Sequence, residues 1–437
     1  MRKILFSAAY ILLILALASS ALTLKESTEI ALRHNFSVKA AQNKLTAAEA
    51  KLNQAVGAFF PTVKIDGSYS NAYTQPSIMQ FTIGGVTNDF IVGTSEINTN
   101  KALSASFNQP LFVAGLFPGY AMMRKAKDIA SEDLRRTIQE TEYNVTAAYF
   151  QLLAADRYVK LQDESLKSAR SHLAQVETMQ RNGVVAKTDY LRAEVQVTNY
   201  EVSLTKAKNM LELAKNSFNI ILARPMETEV SLVEDVNAVL PKTVDFNALL
   251  DQAYAYRPDW RQFDLTKKTA EDDVTLAKTG YLPTVFLTGS TGYRGQSYTG
   301  FNSDVNSWNV TGVASWTLFD GLMTHNKIKE ASANLAAQTA TEEQIKLNIA
   351  LEVREAFLDL QTAGETIGSA QKAVGFADES LKASSVRYYS GAGTNIEVID
   401  AQVALTQAKI NYLQTLFDLV VAKAKINKVV GKEVFTL

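Results

Sequence analysis

The sequence carries one pattern twice. At an offset of 222 residues, positions 30–70 lie without gaps on 252–292. Pro61-Thr62-Val63 falls on Pro283-Thr284-Val285, Ala48-Glu49 on Ala270-Glu271 and Gly67-Ser68 on Gly289-Ser290. At an offset of 208, positions 148–224 lie on 356–432, with Gly183 on Gly391, Leu173 on Leu381, Ala193 on Ala401, Val195 on Val403 and Ala214 on Ala422. The first copy therefore holds about 14 more residues between Ser70 and Ala148. The stretch 74–100, rich in Thr, Asn, Gly and Ser, is the natural place for them. Repetition on this scale confines the chain to folds made by pairing or stacking one supersecondary unit. The expected division is a leader at 1–21, a first repeat at 22–245 and a second at 246–437, each with a helix, two strands and a long helical hairpin.

The long segments of each repeat read as helix. Leu134, Ile138, Thr141, Val145, Ala148, Leu152, Ala155, Val159, Gln162, Leu166, Ala169, Leu173 and Val176 alternate steps of four and three. That 3.5-residue period is the seam of a coiled coil. The second repeat continues it from Leu360 to Leu381. The returning segments show it from Tyr190 to Ile221 and from Val398 to Val429. A helix over 118–181 is on the order of 90 Å long at 1.5 Å per residue, too long for an ordinary globular core. The seam by itself also fits an isolated antiparallel coiled coil.

Four short segments have period two instead. Val63, Ile65 and Tyr69 alternate with Lys64, Asp66, Ser68 and Ser70, and Leu103, Ala105 and Phe107 with Ser104, Ser106 and Asn108. Val285, Leu287 and Tyr293 alternate with Thr288, Ser290 and Arg294, although Phe286 breaks the pattern. Trp308, Val310, Ala314, Trp316 and Leu318 alternate with Asn309, Thr311, Ser315 and Thr317, with Val313 the exception. Each is about ten residues with an aromatic near an end, the signature of a membrane-spanning β-strand. A soluble β-subdomain is the alternative. Trp308, Trp316, Tyr69 and Tyr293 are candidates for the aromatic girdle at the membrane surface.

The first residues fit an export signal. Arg2 and Lys3 precede an apolar run from Ile4 to Leu17, and small residues place cleavage after Ala21 or after Ala18. No later run is apolar enough for a spanning helix, so any membrane crossing is by strands. Four strands cannot close a transmembrane barrel, since eight is the practical minimum. Two copies close one that side chains largely fill, whereas three give twelve strands and an open bore.

Composition narrows the functions. Lys+Arg 44 against Asp+Glu 45 gives a net charge of −1, without the basic footprint that nucleic acid requires. There is no cysteine, and the three histidines, His34, His172 and His325, are far apart in sequence. Neither a nucleophile–base set, a phosphate loop nor metal-ligand spacing is present, so no enzyme, metal or cofactor is expected.

Two junctions and two turns complete the pattern. Gln109-Pro110-Leu111-Phe112 with Gly115 follows the second strand of the first repeat, and Thr317-Leu318-Phe319-Asp320-Gly321 that of the second. Gly183-Val184-Val185-Ala186-Lys187-Thr188-Asp189 and Gly391-Ala392-Gly393-Thr394-Asn395-Ile396-Glu397 each place an acid six residues after a Gly between two helices. With these motifs the mature chain resembles, over essentially its whole length, the TolC-type outer membrane efflux and secretion channels. The resemblance implies a mainly α fold with a membrane β part. Three chains would supply a 12-stranded β-barrel in the outer membrane and an α-barrel tunnel of antiparallel coiled-coil helices in the periplasm. It implies a homotrimer working with a periplasmic adaptor protein and an inner-membrane transporter.

The resemblance also implies roles for residues. Glu397 and Asp400 match the acidic rings of the tunnel's constriction. Thr188, Asp189 and Tyr388 match positions that hold the tip closed, with Asp189 to Tyr388 the more plausible hydrogen bond. Asp189 reads equally as an N-cap. Gly183, Val184, Val185, Gly391, Ala392, Gly393 and Thr394 match turns that meet the adaptor. Gly393 departs from the pattern, since well-studied relatives carry Arg there. The rival account is a secreted coiled-coil structural protein or adhesin, which the strands and the Leu-Phe junctions disfavour.

Overall fold

The computed structural model describes residues 21–92, 96–233, 245–298 and 301–436. The leader expected at 1–21 lies, apart from Ala21, outside them. Chain elements run α1 (Leu24–His34), α2 (Phe36–Gly57), β1 (Thr62–Thr74), β2 (Ser77–Ile83), β3 (Val86–Val92), β4 (Glu96–Val113), α3 (Leu116–Arg181) and α4 (Lys187–Ile221). They continue as α5 (Phe246–Tyr256), α6 (Pro258–Lys278), β5 (Thr284–Tyr298), β6 (Phe301–Ser315), α7 (Met323–Tyr389) and α8 (Asn395–Val430). Two compact units result, and each draws on both halves of the sequence: residues 1–45, 129–264 and 341–437 form one, and 46–128 with 265–340 the other.

The first unit is helical, and its core is the seam read from the sequence. Thr141, Val145, Ala148, Leu152, Gln162, Leu166, Ala169 and Val176 of α3 are all buried, as are Ala193, Val197, Tyr200, Ala207 and Phe218 of α4. Tyr149 packs edge-on to Phe218 and donates its hydroxyl to the carbonyls of Leu22 (3.1 Å) and Val233 (2.7 Å). It thereby holds the parallel bridge between Leu22 and Leu232 against the bundle. The equivalent core of the second half joins Leu249 and Ala253 of α5 to Ile349, Val353 and Leu360 of α7 and to Leu419, Ala422 and Ile426 of α8. Full burial of such a side chain stabilises by about 1.5–3 kcal/mol. In α7 the seam is only half-buried from Ile367 to Leu381.

The second unit carries an antiparallel sheet in the order β1-β4-β5-β6. The four expected strands are these, at 13 to 18 residues rather than ten. Register sorts most of their side chains by face, the exceptions being Phe286 and Val313, which pair with each other on the otherwise polar face. Val63, Phe107, Gly289 and Val310 form one row and Ile65, Ala105, Thr291 and Trp308 the next, all on one face. The opposite face carries Lys64, Asp66, Ser104, Ser106, Thr288, Ser290, Asn309 and Thr311. Phe107 lies over Gly289, where a β-carbon would sit 2.2 Å from its ring, so only glycine allows the aromatic to cover that spot.

Three expectations change here. The surplus stretch 74–100, which carries none of the expected elements, contains one of its own: β2 and β3 pair as a second, two-stranded hairpin around Gly84-Gly85, both at positive φ (63° and 83°). Such a tight two-residue turn needs residues that tolerate left-handed backbone. The fourth strand stops at Ser315, so Trp316 and Leu318 follow it, and Asp320 instead accepts the Thr324 amide at 2.7 Å at the start of α7. In the first half, the Pro-Leu-Phe junction stays within β4, where the register shifts between Pro110 and Phe112. Proline has no N–H for the ladder, and the bulge follows from that.

Candidate functional site at the helical turns

The turns that reverse α3 into α4 and α7 into α8 have one geometry. Gly183 and Gly391 sit at φ 74° and 76°. Val184 N–H reaches back to Met179 O (2.9 Å) and Gly183 N–H to Gln180 O (3.0 Å). In the second turn Ala392 N–H reaches Arg387 O (2.8 Å) and Gly391 N–H reaches Tyr388 O (3.0 Å). This is the Schellman ending, whose left-handed residue is cheap only for glycine. Val184, Ala392 and Thr394 are exposed, while Val185 packs with Val176 and Ala193.

The acids lie just beyond. The N-cap of α4 is Ala186, which makes no side-chain cap bond, and Asp189 occupies the third helical position rather than the cap. There its carboxylate still benefits from the positive end of the helix dipole. Glu397 holds the matching place in α8, behind Thr394. Asn395, Val398, Ile399 and Gln402 take the packed side of α8, leaving Asp400 exposed and Glu397 partly exposed on the other. The Glu397 carboxylate is 3.9 Å from the Arg387 guanidinium, which also donates to Ala392 O at 3.3 Å. Thr188 is exposed.

Tyr388 is buried, but its hydroxyl has no hydrogen-bond partner among the described residues. The bond to Asp189 that the resemblance implies is not made within the chain. Burial, and then the nearby Asp189 charge, push the Tyr388 phenol above its ordinary pKa. A different residue joins the two hairpins. His172 of α3 is only 4 % exposed. Its Nε2 is 2.7 Å from Asn395 Oδ1 and its Nδ1 is 3.3 Å from the Tyr389 hydroxyl. Asn395 Nδ2 in turn donates to the backbone carbonyl of Asp189 at 2.9 Å. Four helices are thus tied through one imidazole and one amide. Burial, partly offset by the bond to Asn395, holds the His172 pKa below its ordinary value. Further along the same helices, Thr406 of α8 bonds Ser165 (3.0 Å) and Tyr200 (3.2 Å).

The comparisons bear on the family and the fold. The model of the outer membrane efflux protein family matches residues 28–223 and 249–432. The chain belongs to that family. It is 25% identical over 397 residues to the outer membrane protein TolC of Salmonella enteritidis, covering 88% of this chain and 77% of that protein. Its fold superposes on crystal structures of CusC with a TM-score of 0.78 at 19% identity, over 94% of this chain and 92% of that one. For the Campylobacter jejuni CmeC outer membrane channel the TM-score is 0.76 at 16% identity, over 94% and 87%. As a family member the chain is an outer membrane protein of the efflux-channel type. Its departure at Gly393 has a steric content: a β-carbon there would stand 3.0 Å from Arg387 Cβ and 3.1 Å from Tyr388 N. A guanidinium is nonetheless present at the turn, on Arg387.

Proposed function

We propose that the chain is a passive conduit from periplasm to exterior, a homotrimer serving a tripartite efflux or type I secretion system, with the helical turns as its closable periplasmic tip. The observation that carries this reading is the sheet. Val63 and Ile65 are each 73 % exposed, Trp308 79 % and Val310 58 %, all on one apolar face. β1 and β6 are each paired on one side only. Apolar rows run along β5 from Val285 to Tyr293, beyond which Tyr69, Lys101, Gly295 and Asp304 form a polar margin. At about 3.3 Å per residue and a tilt of roughly 40°, such a run covers close to the ~25 Å band of an outer-membrane barrel. Tyr69 and Tyr293 fall at one margin, Trp316 beyond the other, and Trp308 within the band.

Lipid offers no partners to open strand edges, so a four-stranded sheet with a lipid-facing side calls for further copies. Three would give twelve strands and set Glu397 and Asp400 of each copy into one ring of six carboxylates, which favours cations. The adaptor would meet the exposed residues of the two turns, and a separate inner-membrane transporter would supply energy. Conductance of the detergent-extracted protein in planar bilayers tests the reading. Discrete steps, blocked by a trivalent cation from one side only, are expected. Glu397→Ala with Asp400→Ala should weaken that block at least tenfold, a loss of about 1.4 kcal/mol or more in ion binding. A chain that never inserts would return the secreted coiled coil to first place.

A further inference from the structure

We propose that His172 and Asn395 form the clasp that keeps the two helical hairpins of one protomer together at the tip, and that protonation of the imidazole releases it. This rests on the reading of the turns as a closable tip and names what closes it here. The clasp joins α3 to α8 through His172 and Asn395, α8 to α4 through Asn395 and the Asp189 carbonyl, and α3 to α7 through His172 and Tyr389. Asn395 Oδ1 can only accept, so Nε2 carries a proton. In the neutral ring Nδ1 accepts from the Tyr389 hydroxyl, and a charged ring would donate to that oxygen instead, so what opposes the charge is the burial of the ring among neutral groups. The Asn395 amide then has both ends engaged, which fixes its orientation.

The surroundings make the clasp releasable. Toward the hairpin stems the contact between α3 and α8 continues through Ser165 and Thr406, with Gln402 Nε2 3.4 Å from Ser168 Oγ. Side chains of this kind can exchange one another for water, so parting the hairpins exposes less apolar surface than opening an aliphatic seam would. Apolar contact at the tip comes chiefly from Val176, Ala193, Tyr388 and Val398.

The direction of the pH response follows from the groups that face His172. α7 presents the phenols of Tyr388 and Tyr389, α8 the neutral amide of Asn395, and α4 a backbone carbonyl of Asp189. The carboxylate of Asp189 acts on Tyr388, and Glu397 faces Arg387. The buried ring therefore resists protonation in the clasped state, whereas a ring released into water titrates near 6.5. Acid stabilises the state that binds the proton better, here the released one. The ratio of released to clasped shifts by up to about tenfold for each unit between the two pKa values, once pH has fallen below both.

The test is tip conductance of the full chain at neutral pH and below about 6, in wild type and three variants. Wild type should open several-fold on acidification. His172→Ala and Asn395→Leu should conduct several-fold more than wild type already at neutral pH, without an acid step. His172→Gln, which keeps an N–H donor and cannot titrate, should stay low at both. A nitroxide on Ser390→Cys, in a chain otherwise free of cysteine, reads release without requiring conduction. Its mobility should rise with acid in the wild-type background and not with His172→Gln. His172→Ala as tight as wild type at neutral pH, an acid step that survives His172→Gln, or a label indifferent to pH would each overturn the clasp. Failure of the channel reading shows differently, as no current in any variant while the label still responds.

Discussion

Val63→Arg combined with Val310→Arg is expected to abolish barrel formation. The two residues share one row of the sheet, on the apolar face and midway along the apolar run of β5. Near the bilayer midplane an outward-facing Arg costs about 2–4 kcal/mol. In the proposed trimer, with two charges on each copy, the total comes to about 12–24 kcal/mol, at or beyond the roughly 5–15 kcal/mol by which folded proteins are ordinarily stable. Lys64→Ala with Thr311→Ala, on the opposite face of the same strands, supplies the control and should assemble normally. Heat-resistant trimer on a gel and incorporation into vesicles are the measurements. If the double Arg chain inserts and trimerises like wild type, the apolar face does not meet lipid and the sheet belongs to a soluble assembly.

That face was legible in the sequence because a strand's alternation survives any change in its partners. The helical seam was legible for the same reason, and Val145, Ala169, Val176 and Phe218 are buried where the 3.5-residue period puts them. The β2–β3 hairpin was written just as plainly, in Met79, Phe81 and Ile83 followed by Gly84-Gly85. Yet its alternation is short and lies among turn-forming residues, so the composition of 74–100 masks it. The clasp could not be read. His172 lies next to the seam residue Leu173, and its partner Asn395 is 223 positions away, on a helix whose rotation about α3 no local pattern specifies. The two turns carried the one useful clue, since they bring the start of α8 beside the end of α3. Tyr388 shows the opposite case: a residue type suited to bonding Asp189 is near it, yet the backbone leaves its hydroxyl unbonded.

The second large effect is expected from Arg257→Ala, and the repeat itself explains why. Arg257 caps α5 as Asn35 caps α1, and the two are related by the offset of 222. Asn35 Nδ2 donates to Ile221 O at 3.1 Å, and Arg257 Nη1 donates to Val429 O at 3.3 Å, carbonyls related by the offset of 208. Both halves therefore tie the corner of their short helices to the end of the returning helix. The second half adds charge: Arg257 forks onto Asp259 (3.0 and 2.6 Å) and reaches Glu352 at 2.7 Å. Removing the buried guanidinium strands the Val429 carbonyl and part of the Asp259 carboxylate, while the half-exposed Glu352 can turn to water, a loss of about 1.5–3 kcal/mol. Arg257→Lys should recover only part of it, since an ammonium cannot make the fork.

The pH dependence separates this account from a simple cavity. Burial alone would raise the Asp259 pKa, but the hydrogen bonds and charge of Arg257 win and hold it below the ordinary value. In wild type its contribution is thus present above about 4 and lost as pH falls through the depressed folded pKa. Without Arg257 only the burial penalty and the local backbone bonds remain, the folded pKa rises, and protonation relieves the buried charge. The stability gap between wild type and Arg257→Ala should therefore narrow as pH falls through that range. Thermal unfolding followed by helical circular dichroism, at neutral pH and at about pH 3, below the ordinary Asp value, measures the gap directly. A gap of equal size at both would mean that packing around the Arg257 stem, and not its charge, holds the corner of α5 and α6 to α7 and α8.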